Sequence, residues 1–353
     1  MTDLNINLKK KRNNAPVAIQ HTTPSKNEVF ESVRKTMELA RWKNFISPGA
    51  KVVLKPNLGW DKLIPGAISS PWVVEAVILV IREYVSEISI IESDQVVCNV
   101  EKVVRLTGIY QICEKYNIPW VNMSKGKFVQ YKSDGRLVLN DIKIPEILSD
   151  TELITIPLMK THNKSTITGA IKNQWGCLQE LRHNFHPVLS KALVDVCWFT
   201  QPRFAVMDAT IALEGNGPKS GIPKEMNMVL ASGNIVGIDA TAARIMGFNP
   251  HEIEHLNLCA EFGYGSLDPV VIGAEIESIK TEFIPAKHNL VSKAEIILRK
   301  TFFSKLLFQT PLLKVLTFIT RRYYDIWDFF VGRKIRKDIS KSGYFASFTE
   351  INK

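Results

Sequence analysis

Between Met159 and Cys177 the chain reads MKTHNKSTITGAIKNQWGC, which sets Lys160, His162, Asn163, Lys164, Thr166, Thr168, Lys172 and Asn173 within fourteen positions. Lysine brings a positive charge, asparagine a neutral donor and acceptor, and histidine a charge that changes near neutral pH. Thr166, Thr168 and Gly169 are placed to open a helix with free backbone N–H groups. Such an end attracts anions, and nearby lysines strengthen it. The chemistry expected is an anion-holding site, with His162 as acid, base or ligand. The competing reading is a polar surface loop and a helix cap. The density of polar groups between apolar stretches favours the site.

Other segments offer matching groups. Lys51-Val-Val-Leu-Lys-Pro-Asn57 reads as a buried strand that stops at Pro56, delivering Lys55 and Asn57 at its end. Ile88-Ser-Ile-Ile-Glu92 is a second strand, followed by Ser93 and Asp94. Glu152-Leu-Ile-Thr-Ile-Pro157 is a third, followed by Lys160 and His162, and a fourth, Phe204-Ala-Val-Met-Asp208, ends on a carboxylate. Open parallel sheets bind ligands beyond the carboxyl ends of their strands, so these four ends are expected to converge. Asp208 to Gly221 forms a Gly-rich loop that fits neither the dinucleotide nor the P-loop pattern. Its Glu214 and Asn216 could reach a ligand or metal. Asp94, Asp208 and Glu214 are expected as partners for the lysines or as hard metal ligands, and Asp239 as a further supporting carboxylate.

The elements that must position these groups follow from periodicity. Helices are expected over residues 26–43, 71–85 and 101–116, and from Asp239 to Met246, with Gly247 as its C-terminal stop. Residues 125–146 alternate polar and apolar, as a hairpin or edge strands would. A further strand is expected at Met228–Ser232. Strands alternating with helices at this spacing predict an α/β fold, a mostly parallel sheet with helices on both faces, followed by a C-terminal amphipathic helical appendage. The expected division is a basic arm over residues 1–15, an α/β domain over 16–285 and the basic tail over 286–353.

Composition narrows the classes. The chain has 353 residues, 45% of them apolar, which suits a globular core rather than disorder. Cys98, Cys113, Cys177, Cys197 and Cys259 have no metal-ligand spacing and read as reduced, buried thiols. His183 and His186, with Glu180, and the pair His251 and His255 read as surface polar groups before they read as ligands. No secretory signal precedes the fold.

The net charge of +10 is uneven, since residues 291–353 hold thirteen Lys and Arg against five acids. That tail interleaves basic residues with Phe302, Phe303, Leu306, Leu307, Leu312, Leu313, Leu316, Phe318, Ile319, Trp327, Phe329 and Phe330. No uncharged run reaches the roughly 18–20 residues needed to span a bilayer. A basic amphipathic helix suits an anionic membrane surface, and a lid on the main domain or a second subunit is the alternative. Nucleic acid is disfavoured, because no binding module accompanies the charge.

In combination, Lys55-Pro-Asn57, Lys160-x-His162, Thr168-Gly169-x-x-Lys172-Asn173-x-x-Gly176, Asp208-x-x-x-x-x-Glu214-Gly-x-Gly-Pro218 and Asp239-x-x-x-x-x-x-Met246-Gly247 resemble the family called domain of unknown function 362, over roughly residues 16–275. Many members also carry a ferredoxin-like cysteine cluster. That spacing is missing here, so no iron–sulfur cluster is expected. A more distant likeness joins His162 and Lys172, ten positions apart, to nickel-pincer lactate racemases, in which a lysine holds the cofactor and histidines move protons beside a carboxylate. Gly169-Ala170-Ile171 departs from the doubled glycine of that group.

The sequence therefore predicts a cytoplasmic enzyme acting on a small carboxylate or phosphate, with membrane association through the tail as an option. Lys55, Lys160 and Lys172 would hold the anion, His162 would transfer a proton, and Asn57, Asn173 and Thr168 would orient it or stabilise developing charge. Racemase- or isomerase-like proton transfer is the first expectation. A non-catalytic, membrane-peripheral binding protein and a redox protein are the alternatives, and assembly into a homo-oligomer is left open.

Overall fold

The computed structural model describes residues 9–178, 182–287, 290–299, 301, 310 and 312–350. The reading of Glu180 as a ligand, the first half of the basic arm and the part of the tail from Phe302 to Leu307 lie outside these residues. In chain order the elements are β1 (Val17–His21), α1 (Lys26–Leu39), β2 (Lys51–Lys55), α2 (Pro71–Ile81), β3 (Glu87–Glu92), α3 (Val100–Leu106), α4 (Ile109–Tyr116), β4 (Trp120–Asn122), β5 (Phe128–Lys132), β6 (Asp141–Pro145), β7 (Glu152–Thr155), β8 (Leu158–His162), β9 (Thr166–Ile167) and α5 (Gly169–Asn173). They continue with α6 (Leu189–Thr200), β10 (Phe204–Glu214), β11 (Ile222–Ser232), α7 (Ile235–Ile245), α8 (Glu254–Glu261), β12 (Val271–Gly273), α9 (Ile276–Ile279), α10 (Leu290–Arg299), α11 (Leu312–Trp327) and α12 (Arg333–Ile339).

The main sheet runs β12-β1-β11-β10-β7-β2-β3-β4 and is parallel from β10 to β4. β11 pairs antiparallel with β10 and β1, which makes the sheet mixed on that side. Successive residues of a strand face opposite ways. Phe204 and Val206 of β10 accordingly enter the core beneath α1 and α2, while Ala205 and Met207 enter the core beneath α6 and α7. Helices thus cover both faces, and the parallel strands are apolar almost throughout because neither face meets water. Residues 128–145 form the expected hairpin, β5 with β6.

Local chemistry moves several expected boundaries. The helix expected over 101–116 is two helices, divided at Gly108, whose φ of 83° ends the first. The helix expected from Asp239 begins earlier, because the Asn234 side chain accepts the Gly237 N–H at 2.6 Å and caps α7. Lys160 and His162 do not follow a strand but lie on one. Pro157 interrupts β7, and β8 then continues alongside β10, with a register shift between Asp208 and Leu213. β10 itself runs on to Glu214, so Asp208 sits within a strand and not at its end.

The tail folds back on the rest of the chain. Tyr324 meets Trp60 edge to face at 4.9 Å between ring centroids, and Lys62 pairs with Asp325 at 2.7 Å. Tyr344 and Phe348 are buried in the same core as α1 and α2. Along α11, Leu313, Leu316, Thr317, Thr320, Tyr323, Tyr324 and Trp327 are half-buried, while Leu312, Val315, Phe318, Ile319, Arg322 and Ile326 are exposed. That spacing is one inner and one outer helical stripe. Among the described residues no helix is long and apolar enough to cross a membrane.

Candidate functional site

The carboxyl ends of β2 and β3, the strand β8 and the short helix α5 meet at one edge of the sheet, around a cavity of about 530 Å³. Lys55, Asn57, Lys160, His162, Thr168, Lys172, Asn173 and Asn216 all line it. Eight of the expected site residues, drawn from four segments, are therefore brought together.

Their contacts form a network. Lys55 Nζ pairs with Glu92 Oε2 at 2.8 Å, with both side chains almost fully buried. Glu92 also accepts the Ser93 N–H at 2.9 Å. Asn173 ties the floor together: its Nδ2 donates to Lys55 O at 3.1 Å and Thr155 Oγ1 at 2.9 Å, and its Oδ1 accepts from Asn57 Nδ2 at 3.0 Å. Asn57 Oδ1 accepts from Lys160 Nζ at 2.9 Å, and Lys160 also donates to Ala67 O at 2.9 Å. Lys160 thus has neutral acceptors only. Burial, and then the charges of Lys219 and Lys55, push its pKa down to about 7.

Lys172 is the outlier. Among the described residues its ammonium meets no carboxylate and no hydrogen-bond acceptor, and it lies 5.2 Å from the centre of the Trp175 ring. Burial first, then Arg182, Lys160, Lys164 and Lys55, hold its pKa well below the ordinary lysine value. His162 accepts the Lys164 N–H on Nδ1 at 3.0 Å, so the neutral ring carries its proton on Nε2. Burial, and then Lys172, His186, Lys160 and Lys164, push its pKa well below 6.5. His162 therefore presents a neutral N–H donor. Thr168 adds a buried hydroxyl with no hydrogen-bond partner among the described residues.

The carboxylates depart from expectation. Of the carboxylates on the sheet strands and the turns after them, Glu92 is the one that lines the cavity among the described residues. Asp94, two residues on, has turned away: it accepts the Val100 N–H at 2.8 Å and Asn122 Nδ2 at 3.2 Å. Asp208 accepts the Ser70 N–H at 2.8 Å and both polar groups of Thr210, holding the start of α2 rather than a lysine. Glu214 does pair with a lysine, Lys224 at 3.2 Å, but outside the cavity. Asp239 accepts the N–H groups of Ala170 and Ile171 at 2.6 and 2.9 Å. The free N-terminus expected at α5 is thus already occupied by an anion from α7. Burial lifts the Asp239 pKa to about 7, against the pull of these two amides. Gly169 has a φ of +60° and sits against this carboxylate, where any side chain would strike it. A Cβ on Gly176 would come within 2.6 Å of Glu92 Oε1 and 2.8 Å of Lys55 Nζ, so the motif's second glycine makes room for that ion pair.

Sequence reasoning missed four contributors. Arg182 is buried and donates to Ser93 Oγ at 3.0 Å and Asp94 O at 2.7 Å. Lys219, from the Gly-rich loop, lies 5.1 Å from the centre of the Trp60 ring, has no acid partner among the described residues, and has its pKa lowered by burial. Trp175 stacks on His186. Glu295 of α10 pairs with Lys164 at 2.7 Å and with His186 at 3.1 Å, which joins the tail to the site. Burial lowers the His186 pKa to about 4. Only the lysine in the glycine-rich loop carried a signal that could have been read, since that loop was already suspect. His255, expected on an exposed helix face, is instead buried on α8, with its pKa lowered to about 3 by burial and then by Lys172.

The cavity wall holds six basic side chains, Lys55, Lys160, Lys164, Lys172, Arg182 and Lys219, against two acids, Glu92 and Glu295. Among the described residues no three His, Cys, Asp or Glu side chains gather as metal ligands. The arrangement can hold a negative group between lysines and offer it hydrogen bonds from His162, Asn57 and Thr168.

Comparison with known proteins gives the family. The family model described as domain of unknown function (DUF362) matches residues 52–244, the stretch that supplies the cavity floor. Thylakoid-associated protein sll1697 of Synechocystis sp. is 28% identical over 237 residues, covering 64% of this chain and 72% of that protein. Since the family model spans more than half of the sequence, the chain belongs to the DUF362 family.

Proposed function

We propose that the cavity binds a small carboxylate or phosphate, and that the protein is an enzyme that moves a proton on the bound molecule. The observation that carries this reading is the half-buried ammonium of Lys172, which lines the cavity without a counter-charge among the described residues, in a wall already rich in cations. A buried charge is costly without a partner, and a bound anion would supply one. Lys160, with its pKa near 7, is poised to give or take a proton at neutral pH. His162 acts as a donor from Nε2 to oxygen that gains negative charge, a narrower role than the proton transfer its residue type suggests. The test has two arms. Calorimetric titration of the full chain with inorganic phosphate and with acetate should give binding that Lys172→Met weakens. Incubation with a panel of hydroxy- and keto-carboxylates in deuterated water should give label in one of them, which Lys160→Met abolishes. Absence of anion binding refutes the reading. Binding without label in any substrate removes the enzyme and keeps the binding protein.

A second reading, membrane-peripheral binding, rests on the outer stripe of α11. Val315, Phe318, Ile319 and Ile326 are each more than half exposed, and Lys314, Arg321, Arg322 and Arg333 lie among or beside them. Apolar side chains between basic ones fit an anionic lipid surface. The thylakoid association in the relative's name agrees with it. This surface and the cavity are compatible in one molecule.

A further inference from the structure

The two sides of the cavity differ in kind. On the floor stand Lys160, Lys172, His162 and Thr168. Over them, from α10 and α11, come Leu298, Leu313, Leu316, Tyr323 and Tyr324. Thr317, Thr320 and the two tyrosines add hydroxyls, but the leucines between them would desolvate a fully polar anion without offering it a hydrogen bond. An apolar wall gains free energy only when it meets apolar surface. The half-buried state of Leu298, Leu313 and Leu316 leaves them surface still to cover.

We propose that the ligand is an anionic amphiphile: a phosphate or carboxylate head on the lysine floor, and a hydrocarbon stem beneath α10 and α11. This rests on the anion-binding reading above and adds the stem. The polarity gradient sets the ligand's direction, head towards the sheet edge and stem towards the tail. It also gives the tail a role at the site, since α11 turns its inner stripe to the stem and its outer stripe to solvent.

A homologous series tests it. The full chain is titrated calorimetrically with inorganic phosphate, then butyl, hexyl and octyl phosphate, all below micelle-forming concentrations. Full burial of each methylene tightens binding about fourfold. The expected result is a steady rise along the series, a lower slope in Leu316→Ala and in Leu313→Ala, and no comparable binding of octyltrimethylammonium. A flat series, with inorganic phosphate bound as tightly as octyl phosphate, overturns the stem while leaving the anion site standing. Equal binding of the octyl cation overturns the head-to-floor arrangement. If no member binds at all, the anion reading falls and takes this one with it. A last arm offers octyl phosphate either as monomer or within phosphatidylcholine vesicles. Tighter capture from vesicles assigns the ligand to the bilayer and equal capture assigns it to water, and both uphold the class.

Discussion

The floor and the roof of the cavity are built on opposite terms. The floor is over-determined: Asn173 alone bridges β2, β7 and the Asn57 loop, and Asp239 reaches from α7 to hold the start of α5. Most polar groups there have partners, which fixes geometry and makes Lys172 and Thr168 Oγ1, without a hydrogen-bond partner among the described residues, stand out. Among the described residues the roof is held chiefly by Lys62 with Asp325, Trp60 with Tyr324, and Glu295 with Lys164 and His186. Its remaining surface is apolar and half-buried or exposed. A rigid polar floor suits chemistry, and a loosely attached apolar roof suits admission and release.

That contrast can be broken at several points. The largest effect is expected in the floor's scaffold. Asp239→Ala strands two buried amide N–H groups and should cost about 3 kcal/mol, measured by urea denaturation. Leu316→Ala in the roof, half-buried, should cost about 1 kcal/mol or less in the same assay. Equal costs would erase the distinction. Next comes Lys172→Met, which should weaken phosphate binding about 100-fold with little change in folding, since a charge-assisted contact is worth about 1.5–3 kcal/mol.

The pH dependence follows from the depressed lysines. In the empty site Lys160 titrates near pH 7, and Lys172 lies well below its ordinary value. A bound anion raises both. Affinity should therefore be full at pH values below those of the empty site. It should fall as pH rises through the window between empty and filled, by about tenfold per pH unit for each proton taken up. Calorimetry at pH 8 in two buffers of different ionisation enthalpy should detect proton uptake on binding, and proton release would reverse the assignment. The smallest effect belongs to the outside of the roof. Phe318→Ser with Ile326→Ser should lower co-sedimentation with phosphatidylglycerol vesicles several-fold, while phosphate affinity stays within twofold. Vesicle binding unaffected by these changes and by salt would remove α11 as the membrane contact.

Residue order alone determined the α/β class, the strand that stops at Pro56 and the set of lysines and amides around residues 55–57 and 160–173, because period-two apolar runs and Pro or Gly breaks are local signals. It could not choose between Glu92 and Asp94. Which carboxylate faces the cavity depends on where β3 leaves the sheet, and only the register with β2 and β4 sets that. Nor could it show that Asp239 fills the α5 terminus from 68 residues further along the chain, since nothing local distinguishes a capping carboxylate from a catalytic one. The tail's composition announced an amphipathic helix, but a helical stripe states how much surface is apolar and not what covers it. Tertiary packing divided that surface between a cavity below and solvent above, because such burial is a property of two surfaces meeting and each sequence segment encodes only one of them.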